Sequence, residues 1–257
     1  MLFRILSFLV GLAVLSSCPE TQAATSASKY PAIPATDAYR VPNPAVFYAA
    51  KGEENCGPGC SEWIVVEGRL DVGSAQRLRT FLKKQPSSRK IIYFNVSGGL
   101  LDESFSIGRL LRGRGMIARV GRTSIKGCEA DTSNCAGLIK SGRELEATVL
   151  KNPGECSSAC LFAILGARFR EVEPDAVLRI HAGRVILLNK YPEGSKAQTD
   201  AVAASKAIDG KLIKSYLTEM GVPTSFYGEI EKVPYDSPRR LTPEEIVKFG
   251  FDTRKGR

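Results

Sequence analysis

Histidine is the scarcest chemically useful residue in this 257-residue chain: there is one, His181. A single imidazole excludes zinc sites built on several histidines, and it leaves one side chain that can act as a base near neutral pH without a displaced pKa. Apolar runs are short as well. Ile5–Leu15, near the N-terminus, is too brief to span a bilayer comfortably. Acidic residues are in deficit, 27 against 36 Lys and Arg, which gives a formal charge of +9. Those cations are scattered, with no basic stripe interleaved with aromatics, so nucleic acid is not an expected partner. The charge reads as a solvated surface suited to anionic membrane or polymer neighbours. Internal repeats are absent, and no low-complexity tract follows the N-terminal leader.

What is present begins with a short positive start, Met1 to Arg4, ahead of the apolar Ile5–Leu15. This is the layout of a secretory signal, and it places the mature chain in the periplasm or outside the cell. Two exits fit. Leu15-Ser16-Ser17-Cys18 resembles a lipobox that would anchor the chain at the envelope through Cys18, and Thr21-Gln22-Ala23 resembles an ordinary cleavage site. Pro19 directly after Cys18 favours plain cleavage after residue 23. Of seven cysteines, six remain once Cys18 is set aside. They form local pairs, Cys56/Cys60, Cys128/Cys135 and Cys156/Cys160, and an even number in an exported chain predicts disulfides. Gly57-Pro58-Gly59 can fold Cys56 back onto Cys60. Cys156 and Cys160 are less comfortable, because four residues on a helix advance about 6 Å along its axis, near the limit for a bridge. A zinc set made from these pairs would lack histidine, and an oxidising compartment opposes it. No metal or other cofactor is predicted.

Residues 24–55 read as an extended leader rich in Ala, Pro, Ser and Thr, residues 56–252 as one α/β domain, and 253–257 as a basic tail. Trp63–Leu70 predicts a strand, followed by a helix to about Lys84 with Ala75, Leu78, Phe81 and Leu82 on one face. Lys90–Asn95 is apolar throughout, as a strand buried on both faces should be. It runs through Val96-Ser97 into the Gly98-Gly99 pair and a helix starting at Asp102. A strand over Met116–Val120 completes a β-α-β-α-β order, which implies right-handed crossovers and a largely parallel sheet. Residues 121–148 interrupt that rhythm as an insertion, with a returning strand from Leu145. Cys160–Leu165 predicts a buried helix, Phe169–Val172 a short strand and Val177–His181 the last clear strand. A long amphipathic helix follows from Lys196 to Met220, with Val202, Ile208, Leu212, Tyr216 and Met220 spaced for one face. A shorter helix covers Thr224–Lys232. A final helix to Phe249 opens on Thr242-Pro243-Glu244-Glu245, a capping box with proline first inside.

The stretch Gly154–His181 holds the chemistry. It offers serine in a tight Cys156-Ser157-Ser158-Ala159-Cys160 turn, an apolar helix, and the lone imidazole. A hydroxyl nucleophile needs an adjacent base. The glycine pair Gly98-Gly99 can bring bare N–H groups close to a ligand oxygen.

In order and approximate spacing, four motifs resemble the Clp protease and crotonase superfamily, in particular an exported bacterial branch of Clp-protease-like sequences. They are Asn95-Val96-Ser97-Gly98-Gly99, Ser157-Ser158-Ala159-Cys160, Arg179-Ile180-His181, and the closing Leu241-Thr242-Pro243-Glu244-Glu245 with Phe249-Gly250. The resemblance runs from about Trp63 to Asp252. It implies a spiral of β-β-α units with a long C-terminal handle helix, assembly as a homo-oligomer, and a serine peptidase acting on a peptide or protein substrate. Carried over by residue, it makes Ser158 the nucleophile and His181 the base. The amides of Gly99 and Ala159 become the oxyanion hole, and Gly98 contacts substrate. The orienting acid is expected shortly before Leu241, where Asp236 is nearest and Asp200 and Glu229 are substitutes. Two alternatives stay open: a Ser/Lys hydrolase of the signal-peptide-peptidase kind with Lys211 as base, and a non-catalytic envelope scaffold of the same fold.

Overall fold

The computed structural model describes residues 43–53, 61–128, 132–151, 153–173, 175–187 and 191–254. The signal, Cys18 and the Cys56/Cys60 pair lie outside the described residues. The architecture is mixed α/β, a curled sheet with helices packed on it. Its strands are β1 (Val46–Lys51), β2 (Glu62–Leu70), β3 (Ile91–Gly99), β4 (Ile117–Val120), β5 (Thr123–Ile125), β6 (Leu145–Val149), β7 (Glu155–Ser157), β8 (Phe169–Glu171), β9 (Val177–Ile180) and β10 (Arg239–Arg240). The helices are α1 (Ser74–Lys83), α2 (Leu101–Arg114), α3 (Thr132–Lys140), α4 (Ala159–Gly166), α5 (Lys196–Glu219), α6 (Ser225–Glu231) and α7 (Pro243–Lys248).

Strand β3 is the hub. One edge carries β2 along most of its length; the other serves two partners in turn, β4 at Ile91–Phe94 and then β7 at Val96. All three pairings are parallel. Asn95 stands at the fork, and its Oδ1 accepts the Glu155 N–H at 3.2 Å. Beyond β7 the order continues to β9 and β10, and beyond β2 to β1, β6 and β5.

Alternation along β2 and β3 separates two cores. Ile64, Val66, Phe94 and Val96 face the helices, where they meet Leu78, Phe105, Leu161, Tyr216, Phe226, Phe249 and Phe251. Trp63, Val65 and Tyr93 face the other way, onto Tyr48, Ile125, Leu145 and Ala147. The predicted insertion is therefore a cover for the second face. Burial on both faces explains the unbroken apolar runs of these two strands.

Three sequence expectations change here. Val46–Lys51, expected within the leader, is a full strand that pairs antiparallel with β2 and parallel with β6, so the domain begins before residue 56. Residues Thr253 and Arg254 are not a free tail: Thr253 N–H donates to Arg170 O at 2.9 Å, and Arg254 pairs with Asp252 and Glu173. On α5 the buried residues are Gly210, Ile213, Tyr216 and Leu217, whereas Ile208, midway along the helix, is 45% exposed and Val202 is only half-buried. The α7 capping box forms as predicted, with Thr242 and Glu245 bonded reciprocally.

Candidate functional site

The site is built at the carboxyl ends of two neighbouring parallel strands. Strand β7 ends at Ser157, opposite Arg179 of β9, and the next peptide continues the ladder, with Ser158 N–H donating to Arg179 O at 2.9 Å. Ser158 and His181 thus follow directly from paired strands on the same rim of the sheet. No hydrogen bond joins their side chains among the described residues.

Ser158 turns the chain from β7 into α4 with φ 56° and ψ −125°, left-handed values that serine rarely adopts. Such a backbone costs about 1–3 kcal/mol and persists where the surroundings impose it. Two features impose it here. Below the turn, Cys156 and Cys160 are disulfide-bonded with Cα atoms 5.3 Å apart, both fully buried. A bridge between residues four apart is awkward along a helix, but Cys156 lies on β7 and Cys160 on α4, so the bond spans the turn itself. Above it, Gly98 leaves room: a Cβ there would stand 3.1 Å from Ser158 Cβ and 3.5 Å from its Oγ.

Ala159 opens α4, so its N–H points out of a helix end that supplies no acceptor, and the helix dipole favours negative charge there. Gly99 is constrained differently. A Cβ would fall 2.2 Å from the Leu70 carbonyl oxygen, and Leu100 N–H donates to that same oxygen at 2.8 Å. Gly98 is the member of the pair that borders the serine.

The two serines differ in their partners. Ser157 Oγ donates to Glu155 Oε1 at 2.6 Å, and Arg179 holds the same carboxylate at 2.8 Å, so Ser157 is committed to that cluster. Ser158 is half-buried, and its hydroxyl has no such tie among the described residues.

His181 is half-buried, with Nδ1 2.9 Å from the Ala182 carbonyl oxygen. A carbonyl oxygen only accepts, so Nδ1 carries a proton, and in the neutral ring Nε2 is the nitrogen with the lone pair. The Tyr235 ring packs edge-on against the imidazole, with centroids 4.9 Å apart and planes at 88°.

None of the carboxylates expected to orient the imidazole is hydrogen-bonded to it among the described residues. Asp236 is exposed and makes no hydrogen bond or ion pair among the described residues; Asp200 is bound to Lys196, and Glu229 to Lys232 and Arg239. Lys211, the alternative base, is exposed on α5. Sequence reasoning did not single out Tyr235, Ala182 or the Glu155–Arg179 pair, since a ring contact and a main-chain acceptor leave no spacing signal.

Cys128 and Cys135 are bonded to each other, flanking α3's entry. A separate cleft of about 460 Å³, lined by Pro153, Asp175, Ala176, Arg240, Leu241, Pro243 and Ile246, lies toward the opposite ends of β7 and β9 from Ser158. Among the described residues no cluster of His, Cys, Asp and Glu could hold a metal, and no helix is long and apolar enough to cross a membrane.

No family model matches the chain, and no curated protein matches it in sequence. Among solved structures it is similar to a mutant of the 1510-N membrane-bound stomatin-specific protease, at 17% identity, over 74% of this chain and 75% of that one, with a TM-score of 0.41.

Proposed function

We propose that the chain is an exported serine hydrolase of Clp and crotonase type that cleaves peptide bonds through an acyl-enzyme. The observation that carries this reading is Ser158 itself: a serine held at φ 56° on a strand-to-helix turn, untethered, beside a bare glycine and a helix N-terminus. Strain of this kind concentrates where a reactive group must be presented.

In the proposed route Ser158 Oγ attacks the substrate carbonyl carbon while His181 Nε2 takes the hydroxyl proton. Negative charge on the carbonyl oxygen is met by the amides of Ala159 and, by the resemblance, Gly99. The imidazolium then gives its proton to the leaving amine, and water, activated by the same nitrogen, releases the acyl group. Two bonded cysteine pairs fit an oxidising compartment.

A fluorophosphonate probe on the mature protein tests this. Wild type should be labelled, and Ser158→Ala and His181→Ala should each abolish labelling with folding intact. A folded wild type that resists the probe would leave the non-catalytic scaffold as the reading. Labelling that survives His181→Ala and vanishes in Lys211→Ala would transfer the base to the lysine.

A further inference from the structure

A serine–histidine pair ordinarily relies on a carboxylate that fixes the imidazole tautomer and its orientation. We infer that here the Ala182 main-chain carbonyl sets the tautomer and Tyr235 is the positioning residue for His181, with no carboxylate in the relay. This rests on the catalytic reading of Ser158 and His181, and four contacts support it.

The first is the Nδ1 to Ala182 O distance of 2.9 Å, which places a proton on Nδ1 and so, in the neutral ring, leaves Nε2 as the nitrogen a base would use. The second steadies the residue that carries the acceptor: Ala182 N–H donates to Val233 O at 2.7 Å, which ties the His181–Ala182 peptide to the buried Val233 in the segment that follows α6. Two residues on, Tyr235 returns to the imidazole edge-on. The fourth holds the tyrosine, since the Arg184 guanidinium stands 5.7 Å from its ring centroid, within cation–π reach. Segment 233–235 thus braces both the residue whose carbonyl accepts the Nδ1 proton and the ring that carries that proton. Asp236, one residue further, is exposed and makes no hydrogen bond or ion pair among the described residues.

The arrangement has a chemical consequence. A neutral carbonyl orients imidazole as a carboxylate does, but it offers less to the imidazolium formed during acylation, so the bracing ring carries more of the positioning.

The presence of one histidine makes the test direct, because nitrogen NMR of the ¹⁵N-labelled protein reports a single imidazole. Wild type at a pH where the ring is neutral should show Nδ1 protonated and Nε2 bare. Tyr235→Ala should mix the tautomers and slow fluorophosphonate labelling about tenfold or more at unchanged melting temperature. Tyr235→Phe, which keeps the ring, should restore both readouts. Tyr235→Leu serves if the alanine variant fails to fold. Asp236→Asn should label as wild type does.

An Nε2-protonated imidazole in wild type overturns the inference, as does an Asp236→Asn variant that slows as much as Tyr235→Ala. Absence of labelling in wild type would defeat the hydrolase reading alone, since the tautomer is read without any reaction.

Discussion

Gly98 and Gly99 are adjacent, alike in sequence and different in what surrounds them. A side chain at Gly98 would crowd Ser158, whereas one at Gly99 would drive into the backbone of β2. The two alanine variants should therefore separate reactivity from folding. Gly98→Ala, strained at φ 124°, should cost about 1–2 kcal/mol and lose probe labelling. Gly99→Ala should cost more than about 3 kcal/mol in urea denaturation, because backbone atoms cannot step aside. At this scale the sequence was legible for local position: Gly98-Gly99 close β3, Ser158 precedes α4 and His181 follows β9. It was not legible for partners. The acid expected shortly before Leu241 has Asp236 as its nearest candidate, but the contacts the imidazole makes are to a main-chain oxygen and an aromatic ring.

Among the elements, α5 is the least predictable from its pattern. Its apolar spacing continues unbroken from Val202 to Met220, yet only the second half finds partners, where Tyr216 stacks on Phe105 at 4.3 Å and its hydroxyl donates to Phe162 O at 2.8 Å. Periodicity records which residues could share a face and says nothing of where a neighbour ends. Short elements fail for a related reason: β7 and β10, with three and two residues, are too brief for alternation to register, and α3 (TSNCAGLIK) carries too few apolar positions for a stripe. By contrast, the cap of α7 is written in local chemistry and forms as read. Where α5 passes α2, burial and the nearby Asp102 carboxylate hold the Asp209 carboxyl above its ordinary range. The folded chain then binds that proton more readily than the unfolded one, so stability falls as pH rises through the raised value. Asp209→Asn should raise Tm at pH 7 by about 1–2 °C, a figure reduced for the group's partial exposure, and the gain should disappear once pH drops below the unfolded carboxylate's range.

For the whole molecule, the site depends on how the chain's end is tied to its middle. Arg170, buried on β8, donates to Leu165 O at 2.9 Å, Ala167 O at 2.5 Å and Gly250 O at 2.5 Å, joining the end of α4 to the segment after α7. The same segment buries Phe249 and Phe251 completely. Arg170→Ala would leave three carbonyls without a donor and should destabilise the fold by about 3 kcal/mol or more, read as a shift of the denaturation midpoint. Arg170→Lys should recover only part, since one ammonium on a flexible stem cannot reproduce the planar fork. The alternating β-α order was visible in the sequence. The fork at Asn95 was not, since apolar runs of this length fit one continuous sheet equally well.

The bridge beneath Ser158 carries a consequence for how the molecule is made. Both half-cystines are fully buried beside the α4 turn, whereas Cys128 and Cys135 are partly exposed. A reductant should therefore open the Cys128–Cys135 bond sooner than the one under the serine, as timed alkylation and mass spectrometry of each pair would show. A chain matured where thiols stay reduced is expected to carry two free sulfhydryls in its interior, countable after denaturation.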